Sequence, residues 1–268
     1  MIRIACDVHT HTLFSRHAYS TLEEDVRAAA NKNLELLGIT DHYSELLFDE
    51  QTLKNFQYFI NLSTWPRVWH DVTLLRGCEA DIVDGRGNLF GHDIVVDKGI
   101  VGEKRRATTL KHEVFRQCDY VIASIHRKDF TREQTSAQNA QMYINALQDP
   151  KVLILGHLGR SGVDFELDPV LEAARDMGKL IELNGSSLED PLKAGRSMDR
   201  CRAIAERCAE LGTMVSFGSD AHVSYHVARS KKVSDLLNEL DFPAELVPCR
   251  SKEAFLTAAR AAIPTFDL

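Results

Sequence analysis

The stretch Asp7-Val8-His9-Thr10-His11 sets two imidazoles one residue apart at the end of a short apolar run. Residues i and i+2 of a β-strand point to one face, so His9 and His11 would project together as two nitrogen ligands for one metal. An H-x-H pair alone also fits ordinary surface or core histidines. Here the pattern recurs down the chain, with apolar runs ending at His42, Glu79, His126, His157, Asn184 and the pair Asp220 and His222. Scattering 11 histidines at random would not place His9, His11, His42, His126, His157 and His222 all at such ends.

The elements that must carry these residues are apolar runs alternating with helical patterns. The runs cover 4–8, 34–40, 72–78, 120–125, 152–156, 180–183 and 214–218. Between them, 21–33 has apolar residues at helical spacing behind an N-cap at Thr21 or Ser20. Further helices are predicted around 53–62, over 132–147 and over 198–211. Another is predicted over 169–177, with Asp168 as N-cap and Pro169 in the first helical position. A turn at 84–88 precedes a predicted extra strand at 89–96, and 223–268 reads as two closing helices split by Phe242-Pro243. Runs alternating with helices mean a parallel sheet with crossovers, and seven runs suggest a barrel. The polar residues then fall at the carboxyl ends of the strands, which form the active face of a β/α barrel.

Composition narrows the class. The chain has 268 residues and no Pro/Gly/Ser-rich linker, so 1–268 is read as one domain. With 32 Lys and Arg against 39 Asp and Glu, the net charge of -7 gives no reason to expect a stable nucleic-acid complex. No apolar run approaches the roughly 20 residues that span a bilayer, and the start lacks a signal-peptide pattern. A cytoplasmic protein without membrane partners is therefore predicted. The six cysteines are scattered without a C-x-x-C pair and read as reduced, mostly buried residues; Cys201 and Cys208 would share one helix face. A phosphate-binding G-x-x-x-x-G-K-[ST] loop and a G-x-S-x-G elbow are both missing.

The motifs D-V-H-T-H-T, S-R-H-A-Y-S-T-L, I-T-D-H, R-G-C-E-A and G-S-D-A-H, in this order, closely resemble the PHP (polymerase and histidinol phosphatase) family. The likeness extends to about Pro248, takes in W-P-R-V at Trp65 to Val68 and E-L-N-G-S-S at Glu182 to Ser187, and is greatest to the YcdX-like branch of small stand-alone phosphoesterases. It implies an α/β fold, a distorted TIM-like (β/α)7 barrel with the active site at the carboxyl ends of the strands. It also implies three divalent metal ions. The resemblance assigns His9, His11, Glu79 and Asp220 to one; Glu79 would bridge to a second held by His126 and His157; His17, His42 and His222 would hold the third. Seven imidazoles and two carboxylates suit zinc, with manganese or iron also able to fit.

The reaction implied is hydrolysis of a small phosphate monoester, with Glu79, Asp220 and His222 as candidate catalytic residues. Close cations lower the pKa of a shared water, give hydroxide as the nucleophile and neutralise charge on the phosphoryl oxygens. Arg16, Arg127, Lys128 and Arg160 lie near proposed ligands, and Arg16 and Arg160 are the chosen substrate-binding residues. Asp41 and Asn184 are candidates for orienting a ligand or water. His70, His92, His112 and His226 match no ligand position. Two departures from the family pattern, Leu158 where many relatives have proline after the histidine and a long 81–111 loop, bear on substrate identity. The alternative is a nuclease or phosphodiesterase acting on nucleotides or short single-stranded DNA, which would want a basic, aromatic groove. A metal-binding accessory domain should have lost ligands, and a metal-dependent amide hydrolase would want a bridging lysine.

Overall fold

The computed structural model describes residues 2–189 and 194–268. Seven strands form the frame: β1 (Cys6–Thr10), β2 (Leu36–Ile39), β3 (Val72–Asp81), β4 (Tyr120–Ser124), β5 (Val152–Leu155), β6 (Leu180–Asn184) and β7 (Val215–Gly218). They pair in parallel and in sequence order, so each must be followed by a crossover connection. Strand β7 returns to β1 only at the carboxyl ends, where Thr10 bridges Ala221, His11 N–H donates to the Ala221 carbonyl at 2.9 Å and Asp220 N–H to the His9 carbonyl at 2.8 Å. The result is the nearly closed (β/α)7 barrel expected from seven apolar runs.

Helices α1 (Leu22–Asn31), α2 (Leu110–Phe115), α3 (Ser136–Leu147), α4 (Leu167–Asp176), α5 (Gly185–Glu189), α6 (Ala194–Leu211), α7 (Lys231–Glu239) and α8 (Lys252–Ala262) accompany the strands. Thr21 starts α1 through a reciprocal capping box with Glu24, which satisfies two backbone N–H groups that have no helical partner. Strands β4 and β5 are buried along their whole length because one face meets the barrel interior and the other the helices. Inside, the Tyr120 hydroxyl donates to the Val8 carbonyl at 2.6 Å. Gly38 makes room for it, since a Cβ there would lie 2.0 Å from that hydroxyl. The amino end is covered by the turn Pro248–Arg250 and α8: Ala5 N–H donates to the Cys249 carbonyl, and the buried Phe255 meets the Tyr120 ring edge-on.

Four local expectations need correction. The helix predicted over 53–62 shrinks to one turn, Gln57–Ile60, because Phe56 and Phe59 both pack on Tyr43, an arrangement that tertiary packing rather than helical periodicity sets. The extra strand predicted at 89–96 is instead Val95–Lys98, paired with Lys104–Thr109 in a separate hairpin, while Leu89 and Phe90 enter the core. Helix α3 starts at Ser136 rather than 132, where Thr135 and Gln138 form a capping box. Helix α4 begins one residue before Asp168, with Glu166 in the N-cap position. Asp168 therefore sits in the first turn and pairs with Arg207 at 2.7 Å.

Candidate metal centre

The nine residues expected as ligands meet at the carboxyl rim. His9 lies next to the end of β1 and His11 follows the strand; Glu79 lies near the end of β3; His126 and His157 stand two residues beyond β4 and β5; Asp220 and His222 follow β7. His42 is brought alongside Glu79 by direct backbone pairing of the two residues. Glu79 is central. Its Oε1 is 2.7 Å from His157 Nε2 and 3.6 Å from His126 Nε2; its Oε2 is 2.7 Å from His42 Nδ1, 3.4 Å from His9 Nε2 and 3.5 Å from His11 Nε2. Asp220 Oδ1 lies 3.2 Å from His11 Nε2, and His17 Nε2 lies 3.0 Å from His222 Nε2. His157 and Asp220 hold left-handed backbone at φ 32° and 55°, a strained conformation for residues other than glycine that points them inward at a cost of about 1–3 kcal/mol each.

Among the described residues, three sets of donor atoms lie within 4.8 Å of one another: His9, His11 and Glu79; His42, Glu79 and His126; His11, His42 and His222. The sets overlap, with His42 between the other two groups rather than confined to one with His17 and His222.

A further layer fixes the imidazoles. Glu182 Oε1 takes His9 Nδ1 at 2.7 Å while its Oε2 accepts the His157 backbone N–H at 2.7 Å. The Ser15 hydroxyl donates to Asp41 at 2.7 Å and stands 3.0 Å from His11 Nδ1, and Asp81 takes His126 Nδ1 at 2.6 Å. The Asp220 carbonyl takes His222 Nδ1 at 3.0 Å. In each of these four histidines an acceptor takes Nδ1 and turns Nε2 toward the cluster, the nitrogen a cation would bind in place of any proton there. Glu182 and Asp81 were missed by the sequence reading, although each shares a strand face with a residue that it singled out, at the i+2 spacing of Glu182 with Asn184 and of Glu79 with Asp81.

Electrostatics sharpen the same feature. Burial would raise the Glu79 carboxyl, but His9, His126 and His42 outweigh it and hold the group well below the usual carboxylate range. Burial opposes Arg160 and His11 in the same way at Asp220, which is also held well below. Burial, then His42, pushes His11 well below its ordinary value, so it stays neutral. For His126, burial is overcome by Glu79 and Asp81, which lift it to about 9. Yet Glu79 Oε2, His42 Nδ1, His157 Nδ1 and Asp220 Oδ1 are buried without a hydrogen-bond partner. Glu79 Oε2 and His42 Nδ1, though 2.7 Å apart, are not aligned to bond each other. Orphaned buried donors and acceptors are costly unless something else satisfies them. Nitrogen and carboxylate lone pairs converging on one volume fit divalent cations.

A cavity of about 610 Å³ opens over the cluster. Arg160 lines it, its Nη2 2.6 Å from Asp220 Oδ2 and its Nη1 3.3 Å from Asn184 Oδ1. Asn184 also offers its amide to Glu182 and Asp220, so it ties the arginine to the cluster. Arg16 does not join them. Its left-handed backbone, φ 66°, follows the turn Leu13–Ser15 and leaves the guanidinium 4.8 Å over the Phe48 ring, beside a different cavity. Arg127 pairs with Glu45 and Lys128 with the Gly162 carbonyl. His70, His92 and His112 lie outside the cluster, whereas His226 stands in the cavity wall. Cys201 and Arg207 have the C-x-x-x-x-x-R spacing of cysteine phosphatases. Both lie on α6, however; burial pushes the Cys201 thiol up to about 12, and Arg207 is bound to Asp168 and Glu210, so no thiolate nucleophile forms.

Fold and cluster together define a β/α barrel equipped for metal-assisted hydrolysis. The PHP domain family model matches residues 7–210. A probable phosphatase of Clostridium acetobutylicum is 34% identical over 90% of this chain and 88% of its own length, and a probable phosphatase of Aliivibrio fischeri is 34% identical over 95% and 92%. Among solved structures, histidinol phosphate phosphatase of Lactococcus lactis, complexed with zinc, L-histidinol and phosphate, aligns with a TM-score of 0.56 at 18% identity, covering 89% of this chain and 94% of that one. The chain belongs to the PHP domain family, and its enzyme class is that of a phosphatase hydrolase.

Proposed function

We propose that this phosphatase hydrolyses small phosphate monoesters, as a cytoplasmic enzyme, at a site for three divalent cations. The observation that carries the reading is the set of buried, unpartnered oxygen and nitrogen atoms gathered around Glu79. The ligand sets are those given by the family motifs: His9, His11, Glu79 and Asp220; Glu79, His126 and His157; His17, His42 and His222. Zinc suits so many imidazoles, and the zinc, histidinol and phosphate bound by the Lactococcus enzyme support both the metal and a small alcohol product.

When bound, the cations supply positive charge for the phosphoryl oxygens and make a nearby water acidic enough to react near neutral pH. The protein does the positioning. Glu79 and Asp220 stay ionised because the imidazoles and Arg160 around them outweigh their burial. Arg160, clamped by Asp220 and Asn184, retains N–H donors for a phosphoryl oxygen in the cavity. His222, anchored through Nδ1, holds Nε2 beside His17 at the mouth. Among the described residues no phenylalanine, tyrosine or tryptophan lines the cavity, which disfavours a stacked nucleic-acid base and hence the nuclease alternative.

Metal-analysed protein should be compared on p-nitrophenyl phosphate, bis(p-nitrophenyl) phosphate and a short single-stranded DNA. Rapid turnover of the monoester, abolished by chelator and restored by zinc or manganese, is expected. Cleavage of the DNA alone, or full activity in excess chelator, overturns the reading.

A further inference from the structure

Besides the proposed ligands and Arg160, the cavity over the cluster has a wall formed by Ser186, Ser219, His226 and Arg229, and among the described residues no apolar side chain lines it. Given phosphate-monoester hydrolysis at the cluster, on which this inference rests, that wall faces the alcohol half of the substrate. A lining of this kind suits a polar alcohol, because an apolar one would find no apolar contact in it and would shut water away from the Arg229 guanidinium.

Arg229 is firmly held there. The preceding Ala228 has φ 59° and donates its N–H to the buried Asp7 carboxylate at 2.8 Å, and Lys32 Nζ donates to the Tyr225 carbonyl at 2.8 Å. Arg229 N–H closes the turn by donating to the His226 carbonyl at 3.1 Å. The backbone is therefore fixed on both sides of the cavity wall. The guanidinium, in contrast, is only loosely engaged. Its Nε lies 3.6 Å from Glu189, whose carboxylate accepts the Lys232 backbone N–H at 2.8 Å, and its Nη2 lies 3.4 Å from the Glu189 carbonyl. Arg160, which lines the same cavity, is 2.6 Å from Asp220. Among the described residues, Asp220 is the only carboxylate lining the cavity, and it is paired with Arg160. One cavity thus offers two arginines in separate places, one tied to the cluster and the other with donors to spare.

We propose that Arg229, flanked by Ser186 and His226, receives a second anionic group on the alcohol portion of the substrate, so that the preferred monoesters also carry a carboxylate or a further phosphate. A guanidinium is suited to either group because its fork of N–H donors matches both geometries.

Binding of non-hydrolysable phosphonates of one chain length tests this by titration calorimetry on the metal-replete protein. The ligands are butylphosphonate, 4-phosphonobutyrate and butane-1,4-diphosphonate, the last two distinguishing carboxylate from phosphate. Wild-type protein is expected to bind at least one of the doubly anionic ligands about 10-fold or more tighter than butylphosphonate, and Arg229→Gln to collapse that ratio toward one. Arg229→Lys should keep part of it, because it retains the charge and loses the fork. A wild-type ratio near one, or a ratio that Arg229→Gln leaves unchanged, overturns the proposal. Failure of the same preparation to hydrolyse p-nitrophenyl phosphate would instead count against the phosphatase reading, since the binding ratio does not depend on turnover.

Discussion

Two carboxyl groups, both fully out of contact with solvent, behave in opposite ways. Glu79, at the carboxyl rim, is ringed by imidazoles that overcome its burial and hold it ionised. Asp25, beside Val26 on the face of α1 that packs on Leu37 and Leu74, has no hydrogen-bond partner for either oxygen. Burial first, and then the like charges of Asp41, Asp7 and Glu24, push it up to about 8. Burial alone therefore does not decide the state of a carboxyl group; the company does. At the rim nine residues converge on one volume, whereas under α1 the carboxyl meets apolar side chains and other acids.

The contrast can be broken most severely at the rim. His11→Ala or Asp220→Ala is expected to lose metal and to lower kcat by about 1000-fold or more, with the fold preserved. Metal analysis and monoester turnover check it, and wild-type activity in either variant would remove that residue from the site. Glu182→Gln acts one layer out. Its hold on His9 Nδ1 and on the His157 N–H predicts metal affinity weakened by about 10–100-fold, read by competition with a chelator; unchanged affinity means that His9 needs no such anchor.

Asp25 sharpens the other side. Its folded pKa of about 8 lies above the ordinary aspartate value of 3.8, so the folded protein holds the proton that the unfolded chain releases first. Stability should fall as pH rises between those two values. Asp25→Asn is expected to raise stability by about 3–5 kcal/mol more at pH 9 than at pH 5, because each of the roughly three pH units between 5 and 8 removes about 1.4 kcal/mol, read by urea unfolding of the metal-free protein. A gain equal at both pH values would show that the aspartate was not protonated in the fold. The smallest effect belongs to Arg16→Ala: with its guanidinium on Phe48, KM should stay within about twofold of wild type.

Much of the barrel was readable because its strands are apolar on both faces and each ends at a polar residue. Parity of two then carries His9 and His11 to one side. The same rule, applied one step upstream of Asn184 and one step past Glu79, would have found Glu182 and Asp81. No local signal could have turned Arg16 away from the cavity or shortened the helix predicted over 53–62. Those outcomes follow from the left-handed turn at Arg16 and from aromatic packing around Tyr43.

The order of strands and the polar residues at their carboxyl ends were set by the sequence, since residue type and periodicity act over a few positions. Which donors share a centre, which acceptor fixes each imidazole, and where the second arginine stands depend on contacts between residues as far as 221 positions apart, such as His17 with His222 and Ala228 with Asp7. Only closure of β7 onto β1 at the carboxyl ends brings these groups within reach, because hydrogen bonds and coordination act over about 3 Å and have no reach along the chain.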